Sequence, residues 1–386
     1  MKKPCACGAV IGIRALMSGH LKPTVLHFTG AENDQGGIVS VVRALATSDR
    51  FVSVLGVGPG FIPRRPLPLP TLEFARIAAE VIGLRTWWRA RVVAQAVREW
   101  LAAGPSRVFH GHSRAGLLVA WQLAAAGESR VVASVHCYGR QRWFYRRAAR
   151  RLGRRLFWLS PAMKHHYGIK SDGWTQCIPG CVTERSIPFE PRPAFDGTLR
   201  LGGIGTLVAW KRWHDVLAAL ARLPTGVRER VTFRHIGSPD TSAASRAYAQ
   251  ELYSQTASLG LETQVSWLGE QPDSQGLLNS VACVLVTAQA EPFSIALLET
   301  IRAGVPVLAA DSGGTVDVVR PGETGGLFRT GDVAELAQAL TALVQTDALK
   351  QVRITRETIR PFTVPVIAAQ WAAVYAGLGV EIEATS

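Results

Sequence analysis

Short apolar runs alternate along the chain with longer segments in which apolar residues recur every three or four positions. Short runs are typical of strands buried on both faces of a parallel sheet, and the longer period is typical of helices. In the first half, strands are predicted at Thr24–Thr29, Phe51–Val57, Arg107–His110, Val131–His136 and Leu156–Leu159. Helices are predicted at Ile38–Leu45, Leu72–Val81, Thr86–Ala103, Ala115–Ala126 and Trp143–Gly153. This alternation predicts a doubly wound parallel sheet with right-handed crossovers.

The same alternation starts again after Pro188–Gly197, a stretch that we expect to be an interdomain linker. Further strands are predicted at Leu199–Ile204, Arg230–Ile236, Val265–Leu268, Val281–Thr287 and Pro306–Ala309, with helices between them. A chain of 386 residues is long enough for two such domains. We therefore expect an α/β fold in which two parallel sheets face a central cleft, with the ligand beyond the carboxyl ends of the strands.

The expected domains cover residues 21–190 and 198–362. The segment 363–386 is expected to hold a C-terminal helix, Val364–Leu378, which can return to the first domain. Residues 1–20 are expected to be a disordered extension or to include a start placed before the true one at Met17, and not a secretory signal. The proline-rich stretch Ile62–Pro70 is expected to be an exposed loop.

Two carboxylates flank the predicted start of one helix in the second half. Glu291 and Glu299 lie eight positions apart, after the apolar run Val281–Thr287, and Ser294 between them can cap a helix that runs to about Ala303. The free amides of a helix N-terminus attract anions, and carboxylates pair with sugar or ribose hydroxyls. This combination favours a phosphate-bearing ligand with many hydroxyl groups.

Together the second-half motifs resemble family 4 of the retaining, nucleotide-sugar-dependent glycosyltransferases, the group 1 enzymes. The resemblance depends on the Glu291–Glu299 element, on Gly205-Thr-Leu-Val-Ala-Trp-Lys211, on Ala303–Val307 and on Asp311–Gly314 through Gly322–Gly325. It implies the GT-B fold, two Rossmann-like domains of which the second binds the donor. It also implies transfer of a hexose with retention of configuration.

The resemblance assigns roles to individual residues of the second half. Glu299 is expected to accept two ribose hydroxyls, Glu291 to lie beside the transferred sugar, and the amides of Phe293 and Ser294 to reach sugar or phosphate oxygens. Lys211 is expected to neutralise the diphosphate as it leaves. Thr206 is also assigned to donor binding, but the family commonly has an arginine at this position, so one expected phosphate contact is missing.

Two strand ends of the first half complete the expected site. Gly36-Gly37 resembles the family's glycine turn, where the backbone approaches the diphosphate, and Gly37 is assigned to donor binding. His136 ends an apolar strand where these enzymes keep a histidine near the sugar, so the catalytic set is His136, Glu291 and Lys211. For His112, at another strand end, a role in the site and a role in the scaffold are both open.

No Asp-x-Asp pair of the kind that chelates a metal diphosphate accompanies these residues, and the six cysteines show no recurring metal-ligand spacing. We therefore expect no metal and no cofactor, with the nucleotide-sugar acting as a co-substrate. Two alternatives stay open: an epimerase or phosphorylase with the same double-domain plan, and a non-catalytic lipid- or partner-binding module with a degenerate donor site.

The basic residues are concentrated in the first half. Residues 1–196 hold 28 Lys and Arg against 11 Asp and Glu. The net positive charge of this half is therefore larger than the net charge of the whole chain, which is +14. Eight arginines lie between Arg140 and Arg155, interleaved with aromatic residues, and Arg85–Arg91 repeats the mixture. This composition is typical of surfaces that meet anionic lipid headgroups. The residues assigned to the acceptor and membrane surface are Arg142, Trp143, Arg146, Arg147 and Arg150.

We accordingly expect a lipid-linked or other membrane-associated saccharide acceptor in bacterial envelope polysaccharide synthesis, such as lipopolysaccharide, exopolysaccharide or capsule. The protein is expected to be cytoplasmic and peripherally bound to the inner face of the cytoplasmic membrane. Nucleic-acid binding is the competing use of the charge, but no nucleic-acid motif accompanies it.

Overall fold

The computed structural model describes residues 22–31, 36–77, 82–170, 173, 175–184, 197–346, 349 and 352–379. The expected extension 1–20 and nearly all of the expected linker 188–197 lie outside these residues. None of the described helices combines the length and the apolar character that crossing a bilayer requires.

The first half forms a six-stranded parallel sheet. Its strands are β1 (Thr24–Phe28), β2 (Val52–Val57), β3 (Thr71–Glu73), β4 (Arg107–Gly111), β5 (Val131–Val135) and β6 (Leu156–Trp158). Its helices are α1 (Gly37–Leu45), α2 (Leu84–Ala102), α3 (Arg114–Ala125), α4 (Arg142–Leu152) and α5 (Pro161–His166). The strands lie in the order β3-β2-β1-β4-β5-β6, so the direction of winding reverses between β1 and β4.

The second half repeats this topology. Its strands are β7 (Leu199–Ile204), β8 (Val231–Ile236), β9 (Val265–Trp267), β10 (Cys283–Val286), β11 (Val307–Ala310) and β12 (Gly325–Phe328). Its helices are α6 (Trp213–Arg222), α7 (Thr225–Arg228), α8 (Ala243–Ser258), α9 (Gln275–Leu278), α10 (Ile295–Arg302) and α11 (Val333–Gln345). The strand order is β12-β11-β10-β7-β8-β9, with the reversal between β7 and β10. The expectation of two doubly wound parallel sheets is confirmed.

The central strands form because both of their faces are covered. Every residue of β5 and of β10 is buried, as their continuous apolar runs predict. Helices α3 and α10, which follow β4 and β10, begin at serines that cap them: the Ser113 hydroxyl accepts a bond from the Gly116 amide at 3.0 Å, and the Ser294 hydroxyl accepts one from the Leu297 amide at 3.2 Å. Strand ends and helix starts are thereby fixed along the edge where the two sheets meet.

The predicted helix Leu72–Val81 is wrong over the part that the structure describes, residues 72–77, none of which is helical. Thr71–Glu73 form the edge strand β3, in parallel register with Leu55–Val57 of β2. The sheet edge offers backbone partners to this segment, and that long-range pairing outweighs its local helical pattern. The neighbouring proline-rich loop exposes Ile62 as expected, but its Leu69 is buried against α1 and β2.

The last helix, α13 (Val364–Ala376), follows a short helix α12 (Arg356–Ile359) and lies against the first sheet. It belongs to a hydrophobic cluster that includes Val25, Val108 and Val132, one residue from each of three central strands. Trp371 packs against Phe157 with ring centroids 5.1 Å apart, and the Tyr375 hydroxyl is hydrogen-bonded to His110 Nδ1 at 2.8 Å. The end of the chain thus supplies part of the core of the first domain.

Replacing Trp371 with alanine should lower the free energy of unfolding by about 3–5 kcal/mol, because the change leaves a cavity under the first sheet. Urea unfolding followed by tryptophan fluorescence and circular dichroism measures this decrease. Gln370→Ala, at an exposed position of the same helix, should change it by less than about 0.5 kcal/mol. Equal effects of the two substitutions would show that α13 contributes little to the core.

Candidate active site

A cleft of about 1060 Å³ separates the carboxyl ends of the two sheets. From the first half it is lined by Gly36 and Gly37 at the start of α1 and by His136 after β5. From the second half it is lined by the segments that follow β7, β8 and β10. The segments after β1, β7 and β10 lie at the reversals of strand order, where doubly wound sheets leave a crevice for a ligand.

The loop after β10 holds Glu291 through its backbone. The Gly314 amide donates to the Glu291 carbonyl oxygen at 2.7 Å, and the Ala290 amide donates to the Ser312 hydroxyl. Gly313 has a φ of +58°, and a Cβ there would come within 2.2 Å of the Glu291 carbonyl oxygen. Only glycine allows this close approach, which explains the Gly313-Gly314 pair in the sequence.

Glu291 forms an ion pair with Lys211 inside the cleft. The Lys211 Nζ–Glu291 Oε2 distance is 2.6 Å, and the two side chains are only 15% and 5% exposed. The ammonium also lies 4.6 Å from the centre of the Trp210 ring, and the Thr287 hydroxyl donates to the Lys211 carbonyl oxygen at 2.7 Å. The ring thus gives the ammonium a second partner, and the Thr287 bond fixes the backbone from which the lysine extends.

The backbones of β7 and β8 touch where the strands end. A Cβ on Gly237, whose φ is +132°, would lie 2.0 Å from the Gly205 carbonyl oxygen. Glycine at 237 therefore lets the two segments approach each other at the wall of the cleft, and glycine at 205 suits its own φ of +149°. Thr206 follows in the cleft lining, and its carbonyl oxygen accepts a bond from the Trp213 indole at 3.2 Å.

The first turn of α10 and Glu299 form the other wall. Phe293, Ser294 and Glu299 all line the cleft, and the Phe293 ring packs against Phe362 with centroids 5.6 Å apart. Glu299 Oε2 accepts a bond from the Ser274 hydroxyl at 2.9 Å. The cleft thus places the capped start of a helix between two carboxylates, with an ammonium paired to one of them.

His136 enters the cleft from the first half, and buried imidazoles lie behind it. His112 Nδ1 is 3.1 Å from His136 Nε2, and His112 Nε2 is 2.9 Å from His27 Nδ1. His112 lies behind His136 and is not among the residues that line the cleft. Burial lowers the pKa of His27 to about 3, and burial together with neighbouring imidazoles lowers the pKa of His110 and His112 well below the ordinary value.

Two arginines of the proline-rich loop belong to the cleft although the sequence did not single them out. Arg64 forms an ion pair with Glu270, and Arg65 donates to the Gln271 carbonyl oxygen at 3.2 Å. Both arginines line the cleft and join the first half to the segment after β9. Ser274, the partner of Glu299, was missed as well. Arginines between prolines were the one available signal, but sequence alone could not show that the loop reaches the second domain.

The residues assigned to the acceptor and membrane surface lie on α4, outside the cleft lining. Arg142 donates to the His166 carbonyl oxygen, and Arg146 donates to that of Tyr167 at 2.8 Å, so both also tie α4 to α5. Arg147 and Arg150 are exposed, as is half of Trp143.

Residues 189–359 match the family model described as glycosyl transferases group 1. This match covers most of the second domain and less than half of the whole chain. The chain is 35% identical over 159 residues to the D-inositol 3-phosphate glycosyltransferase of Nocardia farcinica. This matched stretch covers 41% of this chain and 33% of the relative. Over 157 residues it is 29% identical to the lipopolysaccharide 1,6-galactosyltransferase of Salmonella typhimurium, covering 39% of this chain and 41% of the relative. The chain thus matches less than half the length of these curated relatives.

Solved structures show the fold of the chain as a whole. Anabaena HepE in complex with UDP and glucose superposes with a TM-score of 0.70 at 20% identity, covering 92% of this chain and 99% of that one. The sucrose-phosphate synthase of Thermosynechococcus elongatus gives a TM-score of 0.71 at 17% identity, with coverages of 92% and 99%. The expectation of a GT-B fold is confirmed.

The buried imidazoles predict a protein that becomes less stable in mild acid. The unfolded chain takes up protons near the ordinary histidine pKa of 6.5, whereas folded His27 does so only near pH 3. The free energy of unfolding should therefore fall as the pH drops from about 6.5 towards 3, by up to about 1.4 kcal/mol per pH unit for each such imidazole.

Urea unfolding at several pH values between 7.5 and 5 measures this dependence. His27→Phe should reduce the slope, and His165→Gln, at an exposed position, should leave it unchanged. A free energy of unfolding that rises on acidification over this range would contradict burial of neutral imidazoles.

Proposed function

We propose that the chain transfers a sugar from a nucleotide-sugar donor, bound in the cleft by the second domain, to a saccharide acceptor. The observation that carries the proposal is the ion pair between Lys211 and Glu291, held beside the capped start of α10. A diphosphate suits this place because a cation and a helix N-terminus both attract it. The family match and the glycosyltransferase names of the relatives support the same reaction class.

Lys211 has the hydrogen-bonding capacity to bind the donor while it stays paired with Glu291. An ammonium group has three donors, so Lys211 can keep its bond to Glu291 and add one to a phosphate oxygen. Negative charge grows on the diphosphate as the sugar leaves, and a fixed cation stabilises that charge. Glu291 then presents its remaining acceptor sites to the hydroxyls of the sugar.

Glu299 is the proposed partner of the ribose. Its carboxylate already accepts a bond from Ser274, which holds it at the wall of the cleft. A carboxylate has enough acceptor sites to take two vicinal hydroxyls as well. The nucleotide would therefore lie along α10, with the diphosphate towards Lys211.

Transfer is proposed to be independent of a metal and to retain configuration; retention follows from the resemblance alone. Thr206 has no cation to offer the diphosphate, and Arg212 does not replace one, because its guanidinium is bonded twice to Asp215, at 2.7 and 3.0 Å. Lys211 and the amides of α10 must therefore carry more of the phosphate binding than in the family pattern.

The acceptor is proposed to be a lipid-linked or other membrane-associated saccharide of the bacterial envelope, met at the cytoplasmic face of the membrane. Leu84 is 91% exposed, Trp88 67% and Trp143 50%, on helices whose exposed residues also include Arg85, Arg89 and Arg147. A bond of 2.9 Å from the Ile82 amide to Gln141 Oε1 places the starts of α2 and α4 side by side. Exposed indoles among arginines favour a surface of anionic headgroups.

Lys211→Ala should weaken binding of the nucleotide-sugar by about 10- to 100-fold, since it removes a charged hydrogen bond. Glu299→Gln should weaken it by about 10-fold through the ribose. Calorimetric titration with UDP-, GDP- and ADP-sugars measures the affinities and identifies the base. Lys170→Ala and Glu251→Gln, at exposed positions, are the matched controls.

Turnover of the donor that binds best should survive EDTA and should fall in both cleft variants. Abolition of turnover by EDTA would overturn the metal-independent part of the proposal. Donor hydrolysis that is unchanged in Lys211→Ala and Glu291→Ala would instead favour a degenerate donor site. Each variant needs an unfolding curve, because removing Lys211 leaves a buried carboxylate unpaired.

In a flotation assay, the protein should rise with vesicles that contain phosphatidylglycerol and should not rise with vesicles of pure phosphatidylcholine. Each basic side chain near an anionic surface contributes about 1 kcal/mol, so binding should weaken steeply with salt. The double variant Trp88→Ala, Trp143→Ala should abolish most of the binding, and Tyr253→Ala, an exposed aromatic residue of the second domain, should not. Equal recovery of the protein with both vesicle types would contradict a surface that binds anionic membranes. Retention on heparin without binding to anionic vesicles would favour nucleic acid as the partner of this surface.

A further inference from the structure

A row of hydrogen-bonded side chains crosses the first sheet and ends in the cleft. Ser53 on β2 is 3.3 Å from His27 Nε2 on β1, His27 Nδ1 is 2.9 Å from His112 Nε2 after β4, and His112 Nδ1 is 3.1 Å from His136 Nε2 after β5. The four residues, here called the histidine row, lie on or directly after four adjacent strands. The first three are buried, and His136 lines the cleft.

A row of neutral imidazoles can point its hydrogens in only one direction at a time. Each neutral ring has one N–H and one acceptor nitrogen, so the tautomer of one ring sets that of the next. Either every ring donates towards His136, or every ring donates towards Ser53. The two directions leave His136 Nδ1 as a donor or as an acceptor, respectively.

Ser53 decides between the directions. Within the described part of the chain, its hydroxyl has one hydrogen-bond partner, His27 Nε2. If His27 donated to Ser53, the hydroxyl hydrogen would be buried without an acceptor, which is costly. If Ser53 donates, every bond in the row is satisfied and His136 Nδ1 carries a hydrogen.

We propose that Ser53, His27 and His112 are positioning residues that fix His136 as the Nδ1–H tautomer, so that this N–H donates to an oxygen of the sugar donor in the cleft. This inference rests on the function proposed above for its ligand, but the tautomer itself does not. His136 Nδ1 makes no hydrogen bond to the described residues, which leaves it available to a ligand.

A metal ion is a poorer account of the same histidines. Ring nitrogens of His27, His110 and His112 lie within 4.8 Å of one another, as in a three-histidine metal site. However, all six nitrogens are already hydrogen-bonded: those of His110 to Tyr375 and Ser134, and the others within the histidine row. A buried dication would also need nearby negative charge, and this cluster contains no carboxylate among the described residues.

His110 provides matched controls. It is stacked on His112 with centroids 3.8 Å apart and is equally buried, but it lies outside the row. The Ser134 hydroxyl, 2.7 Å from His110 Nε2, corresponds to Ser53 in the row. Ser134→Ala and His110→Phe therefore remove comparable buried groups without interrupting the path from Ser53 to His136.

The test is the ¹⁵N NMR spectrum of the histidine rings in the full chain without ligand, with His136 assigned from His136→Gln. We expect His136 to be protonated at Nδ1 in the wild type and in Ser53→Thr, which keeps the hydroxyl. Ser53→Ala should give a mixture of tautomers at His136, and Ser134→Ala should not. Protonation at Nε2 in the wild type, equal effects of the two alanine variants, or stoichiometric zinc on the purified protein would overturn the proposal.

Turnover tests the use of this donor in the cleft. His112→Phe should lower kcat/KM by about 5- to 10-fold relative to His110→Phe. This factor corresponds to the loss of about one hydrogen bond to the donor. Equal decreases in the two variants would show that the row only supports the fold. A wild-type protein that turns over no nucleotide-sugar would refute the proposed function, while the spectrum would still decide the tautomer.

Discussion

An ion pair held almost out of water organises the cleft. Burying two charges costs several kcal/mol per ion, and only close geometry with further hydrogen bonds recovers that cost. Here the charged atoms of Lys211 and Glu291 lie 2.6 Å apart, and two backbone supports position the residues: the Thr287 hydroxyl donates to the Lys211 carbonyl oxygen, and the Gly314 amide donates to that of Glu291. Glycine at 313 is what lets the second support come close enough. Much of the local sequence of the second domain is thereby explained by one interaction.

The first domain complements this pair with neutral groups. Desolvation lowers the pKa of His27, His112 and His136, so His136 can bring a hydrogen-bonding group to the cleft without adding charge. Arg64 and Arg65 add positive charge at the edge of the cleft, where they contact the segment after β9. Helix α13 packs against the same sheet, and the Tyr375 hydroxyl is hydrogen-bonded to His110. The chain end, the core and the cleft are therefore connected through side chains of the central strands.

Local patterns predicted most of the fold and the second-domain part of the candidate site. The apolar run before Glu291 and the capping serine at 294 specify a strand and a helix start with little help from the rest of the chain. The place of Glu299 within that helix follows from the same pattern, and its expected role comes from the resemblance. These features depend on neighbours in sequence, which is why they could be predicted.

Contacts between distant segments could not be predicted in this way. Thr71–Glu73 form a strand only because β2 offers them an edge, and Arg64 meets a glutamate 206 positions away. The histidine row joins residues from four strands, so an alternating pattern on each strand shows that a histidine is buried but not what it touches. His112 was open between site and scaffold for the same reason.

The most direct measurement is a crystal structure with the nucleotide-sugar that binds most tightly. Lys211 Nζ should then lie about 2.7–3.2 Å from a diphosphate oxygen, with Glu299 accepting the ribose hydroxyls and Glu291 beside the sugar. A donor whose diphosphate lies away from Lys211, with the Lys211–Glu291 pair turned from the ligand, would contradict the account.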